Sequence, residues 1–195
     1  MIDWNQVPEK VGTPDFNNLL AVMRRDNPSR PTLFEFFLND RLYQRLAPLS
    51  GIESEARYAR QIQVMYAYLR AGYDFTNVLV PGFEFPSKRV EGTRTISINE
   101  GGMIHDRKSF DAYPWPDPSK AEYTILDVLS AQLPAGMKLI GYGPCGVLEN
   151  AIQIIGYEPL CYLLADDPAL VGKIINEIGQ RLEYFYKAVS VHPAV

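Results

Sequence analysis

The chain of 195 residues holds only two cysteines, two histidines and two tryptophans, and each shortage closes off a class of protein. Cys145 and Cys161 have no CxxC spacing and no histidine beside them, which fits no common zinc pattern. A disulfide is not expected in a chain of this kind. Cys161 is expected in the core as a small hydrophobe, and Cys145 is left open between packing and function. No uninterrupted apolar run reaches the roughly 18 residues of a spanning helix, and the opening MIDWNQVPEK has neither a basic n-region nor an apolar h-region. We therefore expect a soluble, cytoplasmic protein with no membrane partner. The 19 Lys and Arg stand against 23 Asp and Glu, for a net charge of -4. The basic residues are scattered, so no stripe neutralises successive phosphates, and nucleic acid is not an expected partner.

What is present is core material: 47% of the residues are apolar against 22% charged, which places the chain among globular proteins. Thr13 before Pro14 reads as an N-cap and first helical residue, with Phe16, Leu19, Leu20 and Met23 on one face until Asn27-Pro28. Residues 32–38 (TLFEFFL) form a short aromatic run halted by Asn39-Asp40 and predict a first strand, buried on both faces. From Glu53 to Ala71 the residues Tyr58, Ile62, Met65, Tyr66 and Leu69 make a helical stripe ended by Gly72. Residues 73–80 predict a second strand, closed by Pro81-Gly82.

Residues 81–118 are rich in Gly and Pro and read as a long insertion, functional or covering, with a short antiparallel strand at 93–98. Ser119 and Glu122 suggest a capping box for a helix through Leu126 and Leu129. Residues 137–143 then give a third strand. Short helices follow, one to Ile155 and one from near Pro159. A longer one is capped at Asp167-Pro168 and carries Leu170, Ile174, Ile178, Leu182 and Phe185 on one face. Residues 190–195 look like the loop into a fourth strand.

The order implies about three β/α units of a parallel α/β fold, where a closed (β/α)8 barrel needs eight. We expect residues 1–195 to form one incomplete barrel domain, with 1–28 as a leading helical segment and 81–118 as the insertion. The open strand edges of such a piece favour pairing or self-association.

Several local sequences occur in a telling order. They are Arg30-Pro31, Ala71-Gly72-Tyr73-Asp74, the Tyr113-Pro114-Trp115-Pro116-Asp117-Pro118 run, Gly141-Tyr142-Gly143-Pro144, Gly156-Tyr157-Glu158 and Asp166-Asp167-Pro168-Ala169-Leu170-Val171. Across residues 28–190 this order resembles the N-terminal part of the uroporphyrinogen decarboxylase and corrinoid methyltransferase superfamily. The resemblance implies a TIM barrel and a small-molecule substrate. True decarboxylases of the family carry Arg-Gln-Ala-Gly-Arg-Tyr after the first strand, where arginines grip substrate carboxylates. This chain reads Phe36-Phe37-Leu38-Asn39-Asp40-Arg41 there, and only Arg41 stands near that role. The family's aspartate beyond the second strand has no counterpart in residues 78–82. The resemblance therefore points to the methyltransferase-type branch, whose zinc is held by His and Cys in the second half of the barrel. It implies zinc and a corrinoid for a full-length parent, with a corrinoid protein or the remaining half of the barrel as partner, and no cofactor or metal site assignable within these residues.

Strand position selects candidate site residues before residue type does, because barrel active sites collect at the carboxyl ends of the strands. Glu35 interrupts an apolar strand, and a buried carboxylate is costly unless paired; it is either catalytic or ion-paired to Arg30 or Arg41. Glu84, just after the second strand, is the other catalytic candidate, for a metal or a substrate amine, or is simply solvated. Asn39, Arg41, Tyr142, Gly143, Cys145 and Trp115 are the substrate-binding candidates. The glycines of Gly141-Tyr142-Gly143-Pro144-Cys145-Gly146 permit close approach of a ligand and present N–H groups to anions, while Trp115 either stacks on a flat macrocycle or forms a rigid wall. Glu149 reads as a helix-end charge, and His105 and His192 as loop histidines. Two functions follow: one portion of an active site for a tetrapyrrole-like or methylated substrate, or a catalytically inactive fragment or binding module of the same fold. Decarboxylation of a porphyrinogen-like substrate is a further alternative.

Overall fold

The computed structural model describes residues 13–49, 57–87, 99 and 102–195. In chain order the elements are α1 (Asn17–Met23), α2 (Asp40–Leu46), α3 (Ala59–Ala71), β1 (Phe75–Leu79), α4 (Arg107–Asp111), α5 (Thr124–Ser130), β2 (Lys138–Tyr142), α6 (Val147–Ile155), α7 (Tyr157–Asp166) and α8 (Pro168–Ser190), with a 3-10 turn at Pro118–Lys120. Among the described residues the fold is mixed α/β with a two-stranded parallel sheet. The chain divides into two compact units. The first comprises Met1–Leu79, Tyr123–Tyr142 and Val191–Val195, and the second Val80–Glu122 and Gly143–Ser190.

In the first unit, β1 and β2 pair in parallel with Asn77 opposite Ile140 and Leu79 opposite Tyr142. Both are short runs bounded by Gly and Pro breakers; β1 is buried at residues 75–78, and β2 is buried at Leu139 and half-buried elsewhere. α3 precedes β1 and packs on it. It ends where Gly72 takes φ +89° and its N–H returns to Leu69 O and Tyr68 O, a left-handed cap that suits glycine. Leu19, Tyr43, Leu46, Ala67, Tyr68, Tyr73, Phe75 and Met137 form one core cluster. Residues 191–195, after α8, make a turn, and the Ala194 carbonyl accepts from Leu139 N at 2.8 Å.

Two expectations for this unit are corrected. Residues 32–38 form no strand and are not buried: Leu33, Phe34, Phe36 and Phe37 are 48, 57, 38 and 61% exposed. The physical reason is that side chains, not a neighbouring strand, occupy their backbone polar groups. Tyr68 Oη lies 3.1 Å from Glu35 O and 3.0 Å from Phe36 O, Asn77 Nδ2 donates to Phe36 O, and Leu38 N donates to Tyr43 Oη at 3.0 Å. The leading helix starts at Asn17 rather than at Pro14, because the Asp15 carboxylate, not Thr13, accepts from Asn17 N at 3.0 Å. The expected helix from Glu53 is observed from Ala59 onward, its earlier residues lying partly outside the described ones.

In the second unit, α8 buries Leu170, Val171, Ile174, Ile178, Leu182, Phe185 and Val189 and packs against α6 and α7. Asp167 caps it, accepting from Leu170 N at 3.1 Å, as the sequence leads one to expect. The Ser119/Glu122 box is absent. Instead Asp117 accepts from Ser119 N at 3.0 Å and from Ser119 Oγ at 2.7 Å, which opens the 3-10 turn. Cys161 is exposed on α7, as is Cys145 before α6, so the expected burial of Cys161 is overturned; α7 turns Leu160 inward instead. The expected strand at 93–98 lies outside the described residues.

Candidate aromatic site and its surroundings

The strands of the first unit place their carboxyl ends side by side. Tyr142 closes β2, and the 35–38 segment is held beside it by the side-chain bonds described above. Burial pushes the Tyr68 phenol up, with Tyr43 adding to the shift, so Tyr68 stays protonated and remains a donor to the two carbonyls. Asn77, 7% exposed, places its amide nitrogen 3.3 Å from Tyr68 Oη. Its Oδ1 is buried and has no hydrogen-bond partner among the described residues.

This anchoring turns the aromatic rings outward in a group. Phe36 meets Phe37 at 4.8 Å between centroids and Tyr142 at 5.0 Å, and Phe37 meets Tyr142 at 5.7 Å, all edge to face. Such tilted pairs suit the ring quadrupoles. Burial raises the Tyr142 phenol, and Tyr43 adds to it, so the hydroxyl at this face is a neutral donor. The result is a partly exposed three-ring face at the carboxyl end of a parallel strand.

The sequence candidates fall unequally around it. Glu35 is exposed, so the cost of a buried carboxylate does not apply to it, and Arg30 is paired with Asp74 instead. Asn39 caps α2, its Oδ1 accepting from Leu42 N at 3.0 Å. Arg41 is exposed in the first turn of α2. The geometry gathers Tyr142 with Phe36 and Phe37, two residues that sequence reasoning did not single out. Their signal was a run of adjacent aromatics without the period-2 alternation of a half-buried strand. Asn77, an amide inside a buried strand, was equally legible as a polar exception.

The remaining candidates lie in the second unit. Glu84 is exposed between buried Phe83 and Phe85. Trp115 is half-buried, set edge-on against Tyr113, Phe110 and Phe85 at 4.7, 5.5 and 6.4 Å. The Arg181 guanidinium lies 4.8 Å over its ring and donates from Nε to Pro116 O at 3.0 Å, which makes Trp115 the wall of a 410 Å³ hollow lined also by Glu177 and Tyr184. At Gly143 a Cβ would lie 2.5 Å from Phe185 Cε1; the missing side chain makes room for this ring. The exposed Cys145 gives its carbonyl to Asn150 Nδ2 at 2.8 Å. Glu149 sits in the first turn of α6 beside Gly146, where a carboxylate offsets the helix-end charge. Among the described residues no three His, Cys, Asp or Glu side chains are grouped to hold a metal ion, and no helix is long and apolar enough to cross a membrane.

No family model, curated protein or solved structure matches this chain.

Proposed function

We propose that this chain supplies β/α units of a barrel of the uroporphyrinogen decarboxylase and corrinoid methyltransferase type, closer to the methyltransferase branch, and that its first unit binds part of a tetrapyrrole-like ring. The observation that carries the reading is the three-ring face of Phe36, Phe37 and Tyr142 at the carboxyl end of β2. Ligands of parallel α/β folds collect at that end of the strands. Exposed rings offer a flat macrocycle contact area at small entropic cost, because each has only two side-chain torsions to fix. The neutral Tyr142 hydroxyl supplies a donor for a peripheral carboxylate or amide. A bound corrinoid would contribute a methyl-carrying metal centre, while the residues named here bind and orient it.

The expectation of a catalytic Glu35 rested on its burial in a strand, and Glu35 is exposed, so binding rather than proton transfer is the contribution favoured for this face. The inactive binding module of the same fold is therefore the second reading, and it shares the same face.

Equilibrium dialysis of the chain against aquacobalamin tests the proposal. Saturable uptake near one per chain is expected, weakened by about tenfold in Phe37→Ala, the equivalent of one ring contact. No saturable uptake into the millimolar range, or uptake indifferent to Phe37→Ala, would overturn it.

A further inference from the structure

The second unit contains a separate hollow that the tetrapyrrole reading does not use. It has a volume of 260 Å³ and lies between the segment leading into α4 and one side of α7. Ile104 and Ile155, 0 and 1% exposed, and Leu163 give it an apolar floor, while His105, Tyr162 and Asp166 supply its polar groups.

Its walls are braced. Met103 N and Ile104 N both donate to Ile154 O, at 2.7 and 3.0 Å, and Gly102 lies so close to the Ile155 carbonyl that a Cβ would collide with it. Arg107 binds Asp167 through two bonds of 2.8 Å each, tying α4 to the start of α8. A cavity held this way is preformed, and a ligand entering it does not have to order the chain.

The electrostatics select the ligand. Asp166 is the last residue of α7, where the terminal carbonyls concentrate negative partial charge. Tyr162, which lines the hollow, donates its hydroxyl to Glu158 Oε1 at 3.1 Å, so that proton is already engaged by a carboxylate. The Arg107 guanidinium, two residues along from His105, is engaged by Asp167. We propose that this hollow binds a small primary amine with an aromatic or branched aliphatic body, its apolar part on Ile104, Ile155 and Leu163 and its ammonium at Asp166. A charged amine gains both the carboxylate and the helix end, whereas an anion of the same shape meets repulsion from each.

Calorimetric titration with phenethylamine and with 3-phenylpropionate, which match in size and differ in sign of charge, tests this. The amine is expected to saturate a single site and the acid to give no saturable heat. Asp166→Asn, at an exposed position, should weaken amine binding by about tenfold, the loss of one charge-assisted bond; Ile104→Ala should weaken it through the apolar floor. Equal binding of the acid, an Asp166→Asn variant with unchanged affinity, or no saturable binding of the amine would each refute the assignment. None of these outcomes bears on corrinoid uptake by the first unit.

Discussion

Arg30 is ion-paired to Asp74, a carboxylate whose side chain is only 3% exposed, and the same Asp74 Oδ1 accepts the Asp15 N–H at 2.7 Å. One acidic residue thus fastens the segment after α1, the start of α1 and the entry to β1. The pair also joins Arg30-Pro31 to Ala71-Gly72-Tyr73-Asp74, two of the local sequences on which the family resemblance rests. Asp74 Oδ2 is buried with no hydrogen-bond partner among the described residues, so the carboxylate depends on its Oδ1 contacts.

That dependence makes the two partners unequal. Arg30→Met should cost about 3 kcal/mol, because it strands a buried carboxylate. Asp74→Asn should cost about 1–2 kcal/mol, since it removes the buried charge and leaves Arg30, 38% exposed, able to reach water. Urea unfolding of both variants measures the difference, and an equal or reversed order would show that the pair does not carry its weight in this way.

Glycine substitutions should split by backbone geometry. Gly136 has φ +85°, and a Cβ there would collide with Pro14 O. Its own carbonyl accepts from Phe16 N at 2.9 Å. Gly136→Ala should lose at least about 1–3 kcal/mol from the left-handed backbone alone. Gly172, inside α8 with nothing within 4 Å of a new Cβ, should gain about 0.5–1 kcal/mol as Gly172→Ala. Thermal unfolding of the two variants should move in opposite directions.

Tyr68→Phe removes the hydroxyl shared by Glu35 O and Phe36 O. A loss of about 1–2 kcal/mol is expected, together with faster chymotrypsin cleavage at Phe36 and Phe37, because the anchoring of their segment is weakened. Unchanged cleavage would mean that Asn77 and Tyr43 hold the segment unaided.

Burial pushes the phenols of Tyr68 and Tyr113 upward. A raised folded-state value means that the folded protein holds these protons more tightly than the unfolded chain, whose tyrosines titrate near pH ~10. Their contribution to stability is therefore fully present below about pH 10 and is lost as the pH rises through the folded-state values. Absorbance at the phenolate band should show these two of the twelve tyrosines ionising only with the alkaline unfolding transition. Early, reversible ionisation of all twelve would contradict the burial argument.

Legibility in the sequence followed how local the deciding interaction is. β1, β2 and α8 could be read directly because each carries its own signals: an apolar run between breakers, or a stripe with Asp167 at its head. Residues 32–38 could not, because their composition is that of a strand while their fate is decided by Tyr68 and Asn77, donors remote in sequence. The same holds for α1, where Asp15 displaced Thr13 as the end group, and for Cys161, whose exposure depends on α7 turning Leu160 inward. At the site, Tyr142 was legible as a strand-end residue. Phe36 and Phe37 were hidden by the expectation of a buried strand, and Gly143 was legible as an exception whose cause, the Phe185 ring, lies far along the chain.

A corrinoid-like ring bound as proposed would lie against Phe36, Phe37 and Tyr142. The most direct test is an NMR titration of the chain carrying ring-labelled phenylalanine and tyrosine against a diamagnetic cobalamin. Saturating ring-current shifts should appear at these three rings and leave Phe110, beside Trp115 in the second unit, unmoved. Shifts centred on the rings around Trp115, or no shift at Phe36, Phe37 and Tyr142 when the ligand is bound, would rule out this binding face.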